Sequence, residues 1–571
     1  MRTFCLLFCL TIPFRIETLS AQSNNPLSVF EGERIQTVRF SYTGLPADSL
    51  ATIRMMQATE NTFAIYPYTH FNQMMTDYYL SRVRNLPFVR DARLEVIPTG
   101  DGGVNVKVYV GLMTAQPGKV VTRNLFQNPR NFPVVYSNHR TFLTFRVAAS
   151  EMAYSNSNAW FACPEQLLAG NPLAGHPAGE GYTGWIEGYV MQGLYGITRL
   201  TEWGNLHFYG GVGYIVTFSA GRELFTDQSR FHIAVEDAFA GLVGGKRYTS
   251  DHDYAFNILY GRKQFVLGNG WLIVNTGMNG EERAALQLNP RVAARRLFQM
   301  GARWDKLTLQ TFQLRPDELP ILNSHTIING LNVEYDNNNR LQIGGSILFV
   351  PRSGAKYYLP DGTVYQRRGL WVYNLRLFGN PHSGNPGLFY KAEAGYQTNK
   401  HFRMRAYAWY THLGWNFAAK RGKPALSYRF AYFSGDKAST RTYERWDALY
   451  TGGNGEQWVQ GSNMYKLVQN TNEMTHLLQL VYSPLKKVQT VTQLWSFLAP
   501  EKNNLGGNPG LSTLESHYYG SEINLTVKYY HSQHWYFHLN TALTLPGNAI
   551  RNALPSPKNW FCLMAFVRFS L

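Results

Sequence analysis

The stretch Leu388-Phe389-Tyr390-Lys391-Ala392-Glu393-Ala394-Gly395-Tyr396-Gln397 alternates between an apolar set, Leu388, Tyr390, Ala392, Ala394 and Tyr396, and a second set that carries Lys391, Glu393 and Gln397. Successive side chains of a strand point to opposite faces, so a period of two gives one greasy face and one charged face. Three neighbouring segments repeat the pattern. Trp371, Tyr373, Leu375 and Leu377 oppose Asn374 and Arg376; Met404, Ala406, Ala408 and Tyr410 oppose Arg403, Arg405 and Tyr407; Leu426, Tyr428, Phe430 and Tyr432 oppose Ser427 and Arg429. Strands of this kind in succession predict a sheet that lines polar space on one side.

Composition extends the reading outward. Of 571 residues 15% are aromatic and only 16% charged, and 51 glycines are spread along the chain instead of clustering in linkers. Aromatic-rich, turn-rich, charge-poor chains suit outer-membrane barrels, whose rims carry aromatic girdles. Arg2, the apolar stretch Phe4 to Phe14, and Leu19, Ser20 and Ala21 predict a signal peptide over residues 1–21. Beyond it no apolar run approaches the ~20 residues that a membrane-spanning helix needs. A closed barrel spans a membrane without one, because its backbone groups pair between strands. The formal charge of +17 would suggest nucleic acid in a cytoplasmic protein. A secreted chain redirects it toward anionic envelope polymers, anionic solutes or lipid headgroups, with no nucleic-acid partner. Cys5 and Cys9 belong to the signal; Cys163 and Cys562 remain, either as two buried thiols or as one disulfide.

From Tyr182 onward strand patterns follow one another: Trp185 to Tyr195, Leu206 to Thr217, Phe231 to Leu242, Tyr254 to Val266, Trp271 to Thr276, Lys306 to Phe312, Thr326 to Glu334 and Leu341 to Val350. After the four already described come Glu473 to Tyr482, Val488 to Phe497, Glu522 to Tyr530, His534 to Thr544 and Trp560 to Leu571. Most are close to the ~9–11 residues of a tilted membrane-crossing strand. In the last, Phe561, Leu563, Ala565, Val567, Phe569 and Leu571 share one parity, the amphipathic ending usual in such barrels. Residues 113–181 show no clean period and are left as linker, plug or first barrel strands. The expectation is a mainly β protein: a transmembrane antiparallel β-barrel of about 16 to 18 strands over 182–571.

Residues 33–112 differ. Ile35 to Phe40 is strand-like, Ala47 to Met56 and Thr69 to Arg84 are helical in character, and Ala92 to Pro98 and Val104 to Val110 are strands joined by Gly100, Asp101, Gly102 and Gly103, a hairpin signal. This α+β order resembles a POTRA domain, the periplasmic module of outer-membrane assembly and secretion barrels. The resemblance implies a periplasmic unit able to engage a protein partner through a sheet edge.

No enzyme signature is found: neither His-Glu-x-x-His nor Gly-x-Ser-x-Gly nor paired Cys-x-x-Cys. Gly241 to Lys246 ends in Gly-Lys, but its glycines are too close and Arg247 replaces the required Ser or Thr. The histidines lack ligand spacing, so neither metal nor cofactor is expected. Cationic residues on the charged parity stand out instead. Arg262, Arg376, Lys391, Arg403, Arg405, Arg429 and Lys528, with Glu393 among them, are expected to line the lumen, since Arg or Lys facing hydrocarbon near the midplane costs about 2–4 kcal/mol. Basic side chains around a narrow aqueous pore favour anions, and arginine offers bidentate bonds to carboxylate or phosphate.

A series of motifs carries a second resemblance. Gly261-Arg262-Lys263-Gln264 with Gly268 and Gly270, Tyr390 to Gln397, Tyr428 to Tyr432 with Ser434-Gly435-Asp436, Trp446-Asp447-Ala448-Leu449-Tyr450, and Gly520-Ser521-Glu522 with Pro546-Gly547 look like the successive signposts of the alginate-export family. The resemblance implies an outer-membrane channel for export or passage of an anionic polymer, as in the best-known members, or of a small anion. The POTRA-like segment departs from that family and suggests an alternative, a barrel that inserts or secretes proteins. Those barrels carry an Arg-Gly-aromatic motif, and Arg368-Gly369-Leu370 and Arg421-Gly422-Lys423 lack the aromatic.

Overall fold

The computed structural model describes residues 30–571 apart from 31–32, 44–48, 66–70, 85, 100–102, 113–133, 138–139, 161–181, 202–205, 223–227, 248–252, 338–340, 380–385, 419–421, 453–457, 486, 508–510, 532–533 and 555. The expected signal peptide, the central hairpin glycines and Cys163 lie outside the described residues; Cys562 is a buried free thiol.

The chain begins with a small unit: β1 (Arg34–Thr43), α1 (Ser49–Phe63), α2 (Gln73–Arg84), β2 (Val89–Thr99) and β3 (Gly103–Leu112). β3 is central, parallel to β1 and antiparallel to β2. Ile35, Val96, Val106 and Val108 bury the inner face of this sheet against Phe63, Phe71 and Val83 of the helical layer. Asn72 caps α2, its Oδ1 accepting the Met75 amide at 2.9 Å. Tyr79 of α2 meets His207 of the barrel edge to face, ring centroids 6.4 Å apart.

The rest is a closed antiparallel barrel of 18 strands. A short strand, β4 (Val134–Ser137), precedes it. The wall then runs β5 (Thr141–Ser157), β6 (Tyr182–Arg199), β7 (His207–Gly221), β8 (Arg230–Arg247), β9 (Asp253–Gln264), β10 (Ala293–Trp304), β11 (Leu307–Arg315), β12 (Ile327–Asn337) and β13 (Leu341–Arg352). A hairpin, β14 (Lys356–Tyr358) and β15 (Val364–Gln366), interrupts it. β16 (Leu370–Gly379), β17 (Gly387–Asn399), β18 (Ala406–Asn416), β19 (Gly422–Phe433), β20 (Glu473–Leu485), β21 (Val488–Leu498), β22 (Tyr518–Tyr530), β23 (Trp535–Pro546) and β24 (Trp560–Ser570) complete it. β24 pairs with β5 from Phe561↔Ser157 to Ser570↔Ala148, and β4 continues along the β5 edge where β24 ends. The Leu571 amide donates to the Val147 carbonyl at 2.9 Å across that junction. Among the described residues the 18 wall strands are thereby paired on both sides, as hydrocarbon requires.

Two strand expectations need correction. Trp271 to Thr276 is not a wall strand: it is a lumenal segment whose Ile273 bridges Tyr450. Ala293–Trp304, which was not expected, is the wall strand there. An extended apolar run looks the same whether it pairs in the wall or threads the interior.

The two rims differ. One carries tight turns, such as 305–306 between β10 and β11 and 486–487 between β20 and β21; the other carries 265–292, 434–472 and 499–517. Short turns mark the periplasmic rim and long loops the extracellular one. Outward side chains form an apolar band: Leu375 is 71% exposed, Leu413 53% and Trp415 50%, while Asn374, Arg376 and Glu393 on the other face are each 3% exposed. Leu375→Lys should therefore cost roughly 2–4 kcal/mol, seen as a lower urea midpoint for folding into lipid vesicles. An unchanged midpoint would mean that this face does not meet hydrocarbon.

Candidate functional site

The lumen is built by loops folded inward, and acidic residues of the wall hold them there. Glu236 of β8 accepts the amides of Val292 and Ala293 at 2.9 and 2.8 Å. Glu187 of β6 accepts the Leu288 amide at 2.5 Å and the Trp185 indole at 2.9 Å. Thr217 donates to the Arg283 carbonyl at 2.6 Å, and Ser219 receives the Ala285 amide at 2.9 Å. Loop 265–292 is thus tied down along its length. Beside it, Asp317 meets three guanidiniums, Arg262 at 2.5 Å, Arg291 at 2.7 Å and Arg283 at 3.3 Å. Burial pushes the Asp317 carboxyl up, but the Arg262 hydrogen bond and the three positive charges outweigh it and hold it below its ordinary value.

Loop 434–472 is fixed the same way. Asp447 takes a two-point bond from Arg367, at 2.6 and 3.0 Å, and a third from the Tyr357 hydroxyl at 2.5 Å. Gln397 of β17 exchanges side-chain bonds with the Asp447 backbone, both 2.8 Å. Trp446 stacks on Trp271 with centroids 5.6 Å apart, joining the two loops. Gly395 permits this approach: a Cβ there would sit 2.5 Å from the Trp446 ring. Further along, Glu522 of β22 accepts the amides of Ser462, Asn463 (3.1 Å) and Met464 (2.9 Å), and the Thr544 hydroxyl at 3.0 Å.

Against this frame the expected pore-lining residues divide into three groups. Arg262 faces inward but is held by Asp317 and, at 3.7 Å, by Glu236. Arg376 bonds Ser346 and Asn374, both at 3.0 Å, as well as Asn332, and lies 3.6 Å from Glu334. Gly268 of loop 265–292 covers it so closely that a Cβ would fall 2.8 Å from its Nη1. Glu393 accepts Asn374 at 2.9 Å and Tyr410 at 3.2 Å. These three are structural. Lys391, Arg429 and Lys528 also share the inward parity.

Arg403 and Arg405 are corrections. Both are exposed, on the parity of Tyr407 and Trp409, which belong to the outward band at 47% and 38% exposure. Ala406, Ala408 and Tyr410, expected to face outward, are buried inside. The polar-lumen assumption fails at β18 because the interior there is indole: Tyr410 packs on Trp271 (5.8 Å) and Trp458 (4.3 Å).

Residues not singled out from sequence complete the site. His412 stands directly opposite both Lys391 on β17 and Arg429 on β19, so three basic side chains form one lumenal row. The Arg429 guanidinium lies over Trp458 at 4.8 Å and Trp495 at 5.3 Å, and no carboxylate comes within salt-bridge distance of it among the described residues. Alternation gave no signal for His412, because on β18 the greasier parity, which His412 shares, points inward. No sequence signal pointed to Trp458, which the loop path delivers.

A family model described as alginate export matches residues 217–561. The chain belongs to the alginate export family. As a member of the alginate export family it is an outer-membrane β-barrel of the channel type. Solved structures with similar folds include the outer membrane protein OpdK from Pseudomonas aeruginosa, at 12% identity and TM-score 0.44, covering 75% of this chain and 98% of that one. OprD from Pseudomonas aeruginosa is similar at 11% identity and TM-score 0.42, covering 75% and 94%. No curated protein matches the chain. The motifs that carry the alginate-export resemblance coincide with loop anchors: Arg262 on Asp317, Asp447 on Arg367, Tyr450 on Glu318 at 2.8 Å, and Glu522 on the 462–464 amides.

Glu522→Ala leaves those amides without an acceptor. An unpaired buried donor costs about 1–3 kcal/mol, so hydrogen exchange at Ser462, Asn463 and Met464 should accelerate on the order of tenfold or more. Glu522→Gln, which keeps a carbonyl acceptor, should change it less.

Proposed function

We propose that the channel passes an anionic polymer or small anion, and that the row Lys391, His412 and Arg429 is where the anion is met. One observation carries this reading. Lys391 and Arg429 flank His412 from the two neighbouring strands, so an ammonium and a guanidinium face the same stretch of the lumen. Arg262 and Arg376 are satisfied by fixed acceptors, whereas the Arg429 guanidinium lies over two indole faces with no carboxylate within salt-bridge distance among the described residues. A carboxylate or phosphate passing between them would be met by both groups at once and would give the Arg429 guanidinium an acceptor. The family description, export of an anionic polysaccharide, agrees with that chemistry. No covalent step is involved: passage requires only binding weak enough for release.

The unit of residues 33–112 is proposed as a POTRA-like periplasmic docking module. Its strand-helix-helix-strand-strand order, its sheet with β3 between β1 and β2, and the contact of Tyr79 with His207 support a position at the periplasmic rim. A protein partner would add a strand to β1 or β2, the two edges of that sheet.

The test is reversal potential in a salt gradient across a planar bilayer. The wild type should be anion-selective, and Lys391→Ser with Arg429→Ser should lower the anion preference several-fold. Arg403→Ser with Arg405→Ser should leave it unchanged. Selectivity that follows the second pair and not the first would overturn the assignment.

A further inference from the structure

Arg403 and Arg405, turned away from the lumen, belong to a larger outward feature. Arg296 and Arg315 stand directly opposite each other on β10 and β11, both on the outward parity of Phe298 and Gln313. The register shift in the β12–β13 pair sets Arg352 opposite Ile327 and so turns it outward as well. Lys400, just past β17, lies over the Phe349 ring at 5.9 Å. Arg296, Arg352, Lys400, Arg403 and Arg405 are exposed and Arg315 is half-buried. None makes a salt bridge among the described residues. In the whole of 293–416 the one exposed acid among them is Asp361.

Height decides what this arc meets. An aromatic band runs beneath it on the same outer face: Phe349 on Trp371 (4.6 Å), Tyr407 on Tyr432 (5.6 Å) and Trp409 on Phe430 (5.0 Å). Such girdles mark the boundary between hydrocarbon and headgroups. Arg296 lies two residues beyond Phe298, Arg405 two beyond Tyr407 and Arg352 three beyond Phe349, always toward the long-loop rim. At ~3.3 Å per residue this is roughly 5–10 Å above the band, within the headgroup layer. The arc follows the wall from β10 to β18, at least ~30 Å at ~4.8 Å per strand.

We propose that this arc binds the phosphate groups of an outer-leaflet glycolipid, which forms a bound collar along seven of the 18 wall strands. Guanidinium pairs match phosphate oxygens in two-point geometry. Arg296 and Arg315, facing each other with no acid between them, require an anion at that spot to offset their repulsion. The occupant is membrane-embedded because the cations stand on the lipid side, immediately above aromatic rings that hold acyl chains. The inference is independent of the lumenal reading, since the lumenal row lies on the opposite face of the wall.

Native mass spectrometry of the full chain in mild detergent tests it, with a bisphosphorylated glucosamine-disaccharide lipid and its dephosphorylated form as probes. The wild type should retain the phosphorylated lipid about tenfold better, the effect expected from a few charge-assisted bonds. The quadruple variant Arg296→Ser, Arg315→Ser, Arg403→Ser, Arg405→Ser should lose that preference while keeping the gel mobility of a closed barrel. The wild-type comparison stands by itself if the variant does not fold. Equal retention of the two lipids by the wild type, or a preference undiminished in the folded variant, would overturn the proposal. So would displacement of the lipid by millimolar inorganic phosphate, which would make the arc a site for free anions.

Discussion

The structure depends on one requirement: a loop that leaves water for the inside of a barrel must find acceptors for its backbone N–H groups. Unpaired, each would cost about 1–3 kcal/mol. The wall supplies carboxylates at the right heights. Glu187, Glu236 and Glu522, on three different strands, each accept one or more loop amides. Because a carboxylate accepts from several donors at once, each fixes both the position and the direction of the chain it holds. The acids that a charge count would assign to the pore are thereby committed to architecture.

This explains how the lumenal cations divide. Where an acid serves a loop, nearby guanidiniums are drawn into the same network, as at Asp317, and lose their freedom to meet a solute. Where aromatic rings fill the space instead, a guanidinium such as that of Arg429 lies against indole faces with no carboxylate within salt-bridge distance among the described residues. The same chain places a second set of cations on the outer wall, above the aromatic band. Cations thus stand on both faces of the wall, one facing the channel axis and one facing outward.

Much of this was legible in the sequence, for a physical reason. The barrel follows from period-two alternation, and β16, β17, β19 and β24 face as the parity predicts because hydrocarbon admits only apolar side chains. The rule failed at β18. Ala406, Ala408 and Tyr410 are buried in the same cluster as Trp271, Trp446 and Trp458, so the greasier parity points inward and Arg403 and Arg405 point out. Trp271 to Thr276 looked like a strand for the same reason, an apolar segment packed inside the lumen. Lys391 and Arg429 of the proposed row, and Lys528 on the inward parity of β22, could be read from alternation alone. The loop-borne Trp458 could not, since its position depends on anchors such as Asn470, which donates to the Trp458 carbonyl at 2.7 Å from twelve residues away.

The central claim is that charge is sorted by face, with Arg429 on the path of the permeating anion and Arg403 off it. Cysteine at each position, treated with a membrane-impermeant anionic thiol reagent during bilayer recording, tests this directly. The account predicts that current through the Arg429→Cys channel falls on modification, whereas that through the Arg403→Cys channel stays constant. Current that falls only for Arg403→Cys would contradict it.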